Sequence, residues 1–389
     1  MRTVLIITGR YLPGYRDGGP VRSLINLTDT FGDEYDIRIM CLDRDHGDTK
    51  RYPGITLHEY NDVGKAKVWY TERFTEQAVM TLAADADVVY VCGPYSDYAR
   101  TAMRLKKSGK IRALLYIAPM GSFSAGAYNI KGIKKRLYIK YMKLAGMFDN
   151  VTWSVTSARE EEELKAAVGT GSRCVIAADL PRSGTTQHTR VKRPYELKLI
   201  FISRISRKKN LSAIPEILEM STSEHRIWLD IYGTEEDTEY LHECMKMLDD
   251  VQKSHPYFDW EYKGEADSGL VPDILAGYDA FLFPTLGENY GHVIAESLSS
   301  GCIPVISDTT PWTDLDERGC GYVCPCEDPS AFAEAIDELV SMSEEDIQIM
   351  RRSCYEYIEE VNRDSVKNSG YRKIFESGGY ENGRDNERL

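Results

Sequence analysis

Short apolar runs alternate with amphipathic stretches along most of the chain. Thr3–Thr8, Tyr35–Leu42, Val68–Tyr70, Asp87–Cys92, Arg112–Ala118, Val151–Val155 and Arg173–Ile176 read as buried strands. Helical patterns stand between them. One opens at Pro20 and carries Val21, Leu24, Ile25 and Phe31; others cover Thr75–Ala84, Tyr95–Lys107, a lysine-rich stretch and Arg159–Ala167. Residues 182–196 break the rhythm with Gly184, Thr185, Thr186, His188 and Pro194, and read as a linker. The alternation then restarts. Strands are expected at Lys198–Ser203, Ile227–Tyr232, Asp259–Tyr262, Tyr278–Phe283 and Ile303–Ser307. Helices are expected at Leu211–Met220, Thr238–Lys253, Leu270–Ala276, Pro329–Met342 and Glu344–Asn362. Repeated β-α units predict doubly wound parallel sheets. The pattern gives an α/β chain of two Rossmann-like domains, 1–181 and 197–362. A helix over 363–376 is expected to cross back onto the first domain, and a polar tail, 377–389, is expected to be disordered.

Composition narrows the class. A chain of 389 residues, 42% hydrophobic, is too long for one ordinary core. A net charge of −13 disfavours nucleic acid as a partner. Nine cysteines without a framework suggest free thiols in a reducing, cytoplasmic setting. Cys320, Cys324 and Cys326 cluster without a histidine at ligand spacing, so buried thiols are the better reading than zinc. No apolar run reaches the ~20 residues of a membrane span, and the first run is too short for a signal peptide.

Familiar motifs are missing. No G-x-G-x-x-G follows the first strand, and neither a P-loop nor a G-x-S-x-G elbow is present. Two stretches of the second half carry the chemistry. Pro284–Glu296 follows an apolar strand, brackets a glycine turn with Glu288 and Glu296, and opens a helix. Carboxyl ends of strands in open α/β sheets are ligand sites, and helix N-termini attract phosphate. Arg204 and Lys209, at the end of an earlier strand, are within reach of a diphosphate. Alone, such a basic cluster is an ordinary solvated turn.

Arg204…Lys209-Asn210-Leu211, followed by Gly287-Glu288-Asn289-Tyr290-Gly291-His292-Val293-Ile294-Ala295-Glu296 and Gly301-Cys302-Ile303-Pro304-Val305-Ile306, resembles glycosyltransferase family 4. That family comprises retaining enzymes of the GT-B fold, marked by two glutamates with seven residues between them. Tyr11-Leu12-Pro13, Gly18-Gly19-Pro20-Val21-Arg22-Ser23, Pro119-Met120-Gly121 and Ser157–Glu162 resemble further landmarks, so the likeness spans roughly residues 1–376. Within the family it resembles bacterial enzymes of cell-surface polysaccharide synthesis.

The resemblance implies two domains facing a cleft, with a nucleotide-sugar on the second. Glu296 would take the ribose hydroxyls and Glu288 the transferred hexose. Asn289, Tyr290, Gly291, His292 and Val293 would supply the turn around them, and Arg204 and Lys209 would neutralise the leaving diphosphate. Loops at Gly233, Lys263-Gly264-Glu265 and Ser122 would shape the pocket. His292 is read as part of the turn, not as a catalyst. Many relatives carry a histidine where this chain has Ala118-Pro119-Met120-Gly121, which leaves the acceptor side without an assigned catalytic residue.

The acceptor, a saccharide or lipid-phosphate-linked saccharide, would meet Gly18, Gly19, Arg22, Gly121 and Ser122. Arg10, Arg16 and Arg22 suit a phosphate-bearing partner, although a flexible loop with incidental charges fits equally well. Lys131–Lys143 has six cations interleaved with Ile133, Leu137, Ile139, Tyr141, Met142 and Leu144. Either it lies on an anionic membrane, placing the protein at the inner membrane face, or it is a solvated helix packed by its apolar stripe. No cofactor and no metal are expected, and Asp43-Arg44-Asp45 is read as a surface loop. A sugar-nucleotide epimerase of the same fold and a non-catalytic sugar-nucleotide-binding protein are the rival readings.

Overall fold

A computed structural model describes residues 1–123, 132–182, 184–267 and 269–377. It divides into two compact units, Met1–Leu180 with the chain from Asp364 onward, and Pro181–Arg363.

The first unit is built on an eight-stranded sheet: β1 (Thr3–Ile7), β2 (Asp36–Leu42), β3 (Tyr60–Val63), β4 (Ala66–Thr71), β5 (Val88–Cys92), β6 (Leu114–Ala118), β7 (Thr152–Val155) and β8 (Cys174–Ile176). Their order is β3-β4-β2-β1-β5-β6-β7-β8. Every pairing is parallel except β3 with β4. β3 is polar and half exposed, so no apolar run announces it. Among the described residues the helices are α1 (Gly19–Phe31), α2 (Glu76–Ala83), α3 (Asp97–Lys107), α4 (Gly132–Leu144) and α5 (Ala158–Val168). Two separate cores cover the two sheet faces, which is why β1 and β5 read as continuous apolar runs.

The second unit holds β9 (Glu196–Ile202), α6 (Ala213–Met220), β10 (Arg226–Tyr232), α7 (Thr238–Ser254), β11 (Phe258–Gly264) and α8 (Val271–Leu275). It continues through β12 (Ala280–Phe283), α9 (His292–Ser299), β13 (Ile303–Ser307), β14 (Tyr322–Cys324), α10 (Pro329–Ser341) and α11 (Glu344–Lys367). The strand order is β11-β10-β9-β12-β13-β14, all parallel. Strand order reverses between β9 and β12, and that switch point is where loops part to admit a ligand.

Residues 185–192 are not a free tether. Thr186 N donates to Ser299 O at 2.8 Å and Thr189 N to Ala276 O at 2.9 Å. Arg190 pairs with buried Asp279 at 2.7 Å, and Arg351 takes the same carboxylate from the other side at 3.0 Å. Lys192, itself buried, donates to the carbonyls of Val340 and Met342. The polar character read as a linker serves a buried hydrogen-bond network within the second unit.

α11 runs without a break to Lys367, past the start of the helix expected over 363–376, and α12 (Gly370–Glu376) follows. Phe375 of α12 meets Phe31 and Tyr35 edge-on at 6.0 and 5.1 Å, and Arg2 donates to Glu376 O. Residue 370 admits only glycine, because a Cβ there would lie 1.9 Å from Ile176 O. Lys131 and the tail beyond Ser377 lie outside the described residues.

Candidate functional site

The site of the second unit is built on the two strands that flank the switch point. β9 ends at Ile202, and a 3-10 turn, Arg207–Lys209, follows. Asn210 closes that turn in the left-handed region at φ 57°. Asparagine tolerates this conformation better than most side chains. Its Nδ2 donates to Pro284 O at 2.9 Å, which ties the turn after β9 to the turn after β12. Leu286 N and Thr285 Oγ1 both donate to Lys208 O, at 2.9 and 3.2 Å. The two chemical stretches of the sequence are thus one hydrogen-bonded assembly.

At its centre Lys209 Nζ and Glu288 Oε1 form an ion pair, each side chain only 12% exposed. Thr285 Oγ1 stands 3.2 Å from the same carboxylate oxygen and shares its one proton between it and Lys208 O. Burial pushes the Lys209 ammonium below its ordinary pKa; Glu288 opposes that, while the positive charges of Lys208 and Arg204 add to it. The sequence assigned these two residues separate tasks, and the structure brings them into direct contact. Arg204 is different. It is half exposed and pairs at 3.1 Å with exposed Glu236, a contact weak enough to exchange for a ligand.

Beyond Glu288 the turn is braced from the next strand. Ser307 and Thr309 hydroxyls donate to Thr285 O, and Trp312 Nε1 donates to Tyr290 O at 2.6 Å. The Tyr290 ring packs on Trp312 and His292 at 5.4 and 4.9 Å. Asn289 is exposed, His292 and Val293 half-buried. Gly291 caps α9 at φ 78°, where a Cβ would also strike the Ile294 side chain at 2.8 Å. α9 therefore begins without a capping side chain. Glu296, one turn in, is 6% exposed. Its backbone carbonyl receives the hydroxyls of Ser299 and Ser300.

Gly233 and Gly264 end neighbouring strands on the other side of β9, joined by Gly233 N to Gly264 O at 2.9 Å. Residue 233 has no room for a side chain, since a Cβ would fall 1.9 Å from Ser203 O.

In the first unit the small-residue loop after β6 is held by a residue given no role from the sequence. Met120 and Gly121 both adopt positive φ, 53° and 73°. Glu160, 3% exposed, fixes them: one oxygen accepts Gly121 N at 2.7 Å, the other Thr156 N at 2.7 Å and Thr156 Oγ1 at 2.9 Å. Ser122 N donates back to Pro119 O. The sequence signal was the Ser157-x-x-Glu160 capping box, and Ser157 Oγ does cap α5. Asp179 lies in hydrogen-bonding reach of Ser23 on α1; burial and the nearby Glu160 charge raise its pKa to about 6. Ser23 lies on the helix that Gly18, at φ 62°, and Gly19 begin.

Arg10 and Arg16 pair with Asp17 and Asp48, at 3.1 and 2.7 Å. One expectation for this region changes. Asp43 and Asp45 are buried, not a surface loop. Asp45 accepts the amides of Tyr15 and Arg16 and so staples the glycine-rich loop, while Asp43 holds Arg44 and Arg51. Arg22 N donates to Gly18 O.

Cys320 and Cys324 are buried thiols, raised by desolvation to about 12. Among the described residues no group of three or more His, Cys, Asp or Glu is placed to hold a metal, and no helix is long and apolar enough to cross a membrane.

No curated protein sequence matches the chain. Solved structures do match over nearly its whole length. A glycosyltransferase from Rickettsia africae is 12% identical, with 98% of this chain and 99% of that one covered and a TM-score of 0.67. Sucrose-phosphate synthase from Thermosynechococcus elongatus is 11% identical over 96% and 99%, at 0.65. The Anabaena protein HepE, solved with UDP and glucose, is 12% identical over 95% and 99%, at 0.64. The chain has the GT-B fold, and its residues 186–361 match the family model for glycosyl transferases group 1.

Proposed function

We propose that the protein is a retaining glycosyltransferase of family 4. It moves a hexose from a nucleotide-sugar donor to a saccharide or lipid-linked saccharide, in cell-surface polysaccharide synthesis at the inner membrane face. The observation that carries this reading is the Lys209–Glu288 pair, sunk between the ends of β9 and β12 and bonded to the turn that starts α9.

The pair explains how one site handles both ends of the donor. A diphosphate arriving at the turn draws the Lys209 ammonium and recruits Arg204 from its surface partner. Glu288 is then released toward the sugar hydroxyls, where a charge-assisted bond contributes about 1.5–3 kcal/mol. Glu296, buried in α9, takes the ribose. As the anomeric bond breaks, charge accumulates on the diphosphate, and two cations already stand there. Glu288 begins the cycle bound to Lys209 and Thr285, which disfavours it as a nucleophile. Attack from the face of departure, with the leaving diphosphate taking the acceptor proton, is the step that fits. Because Arg204 and Lys209 supply the positive charge, turnover is expected to persist in the presence of a chelator.

UDP-sugars come first as donors, because similar structures were solved with UDP and glucose or with UDP-2-fluoro glucose. The test is release of nucleoside diphosphate from UDP-, GDP- and ADP-sugars, with and without a lipid-phosphate acceptor. Release from one donor class supports the reading. None from any class, or interconversion of the donor sugar without transfer, sinks it.

A further inference from the structure

Helix α4 has two apolar faces, and the first unit uses only one of them. Ile139 and Met142 point into the core, 3% and 1% exposed. Ile133, Leu137, Tyr141 and Leu144 are 76%, 61%, 65% and 80% exposed. At 3.6 residues per turn these four occupy about 80° of the helix circumference, opposite the buried pair. A stripe that contributes nothing to the fold is unusual on a protein with a net charge of −13.

The borders of the stripe carry the opposite charge to the rest of the molecule. Lys134 follows it on one side, and Lys140, Arg136 and Lys143 on the other, all exposed. Beside the same helix, Tyr95, Arg100, Lys134, Lys135 and Tyr138 line a cavity of about 300 Å³. Lys135 sits over the Tyr95 ring at 5.3 Å, and Arg100 pairs with Asp97, which is exposed. Three cations and two phenol rings make an open recess suited to a phosphate ester. Exposed large apolar side chains beside cations are the chemistry of a headgroup–acyl boundary.

We propose that α4 docks on an anionic phospholipid surface, its stripe entering the acyl boundary and the adjoining cavity receiving a headgroup phosphate. This deepens the reading of a membrane-linked acceptor, but docking is measured without turnover, so the two fail separately.

The full chain is sedimented with vesicles of phosphatidylglycerol and phosphatidylcholine, and with phosphatidylcholine alone. Binding is expected only to the anionic vesicles, weakening as salt screens the cations. Leu137→Asn with Tyr141→Asn removes half of the stripe, and Lys134→Glu with Lys140→Glu reverses its border. Each pair is expected to lower partitioning at least ~10-fold, with unchanged melting temperature and donor hydrolysis in solution. Three results overturn the proposal: no binding to anionic vesicles at low salt, equal binding of both variants, or a dimer that Leu137→Asn with Tyr141→Asn dissolves while vesicles stay unbound. Vesicle binding by a chain that releases no nucleoside diphosphate would leave the docking intact and remove the transferase.

Discussion

A loop in each unit leaves the carboxyl end of a parallel strand, turns through left-handed backbone and is held by a buried glutamate. In the first unit Glu160 spends both oxygens on fixed donors: Gly121 N, Thr156 N and the Thr156 hydroxyl. In the second, Glu288 is held by the Lys209 ammonium and the Thr285 hydroxyl. Backbone amides cannot leave, so Glu160 shapes a loop. An ammonium on a flexible stem can be drawn away by a phosphate, so Glu288 is available to a ligand. Position and residue type are alike; the mobility of the partner sets the role.

The sharpest way to break that contrast is by substitution on each side. Lys209→Ala and Glu296→Ala are expected to lower donor turnover by at least ~10²-fold. Lys209→Ala also leaves a buried carboxylate without its cation, which costs about 3 kcal/mol of stability. Both are read from nucleoside diphosphate release and urea denaturation. Near-normal turnover in both variants would falsify the assignment of the donor site.

Glu160→Ala should behave oppositely. It strands two amides and is expected to destabilise the chain by about 2–3 kcal/mol. Donor hydrolysis without acceptor should stay near that of the unaltered chain, while transfer to acceptor falls. Equal losses in hydrolysis and transfer would place Glu160 in the chemistry and erase the distinction.

The sequence carried different amounts of each loop. Repeated apolar runs made both sheets legible, because strands buried on two faces admit little else. The polar edge strand Tyr60–Val63 lacked that signal. Glu288 and Lys209 were legible as residues because their flanking motif is distinctive. Their mutual contact was not, because it depends on β9 and β12 becoming neighbours across the switch point. Glu160 lay inside the acidic run Glu160-Glu161-Glu162-Glu163, where charge alone implies solvent. The Ser157-x-x-Glu160 spacing marks a helix start, but only the three-dimensional closeness of Gly121 shows what the carboxylate holds. Asp43 and Asp45 were misread for the same reason: two carboxylates after a strand look solvated until the arginines that Asp43 pairs with and the amides that Asp45 accepts are in view.

Acid should separate the two units further. His188, in the second unit, is half-buried, and its ring sits at about 4, below the ordinary histidine value, chiefly through desolvation. The unfolded chain takes the proton first. The stability held above pH ~6.5 is therefore lost as pH falls toward 4. Asp179, in the first unit, has the reverse sign. Its pKa is raised to about 6, so its contribution is complete below the ordinary aspartate value and lost as pH rises through 6. Each is expected to shift its own unit by about 2 kcal/mol. Hydrogen exchange resolved by unit checks this: protection of the second unit should fall on going from pH 6.5 to 4 while that of the first rises. His188→Gln and Asp179→Asn should each flatten one profile alone. Parallel profiles in the parent chain would refute both assignments.

The smallest expected effect tests whether the second loop needs its own brace as the first needs Glu160. Asn210 holds φ 57° and donates to Pro284 O across the switch point. Asn210→Gly keeps the left-handed turn available and removes only that hydrogen bond, a loss of about 1 kcal/mol. Asn210→Ala removes the bond and adds the cost of a Cβ in left-handed backbone, so it should fall below the glycine variant by about 1 kcal/mol more. Denaturation midpoints order the three proteins. If the brace also positions Lys209, both variants raise KM for the donor more than they lower kcat, because the ammonium still reaches the diphosphate but starts from a looser turn. A fall in kcat with unchanged KM would mean that Asn210 acts in the transition state, and that the loop after β9 is a moving part rather than a fixed cradle.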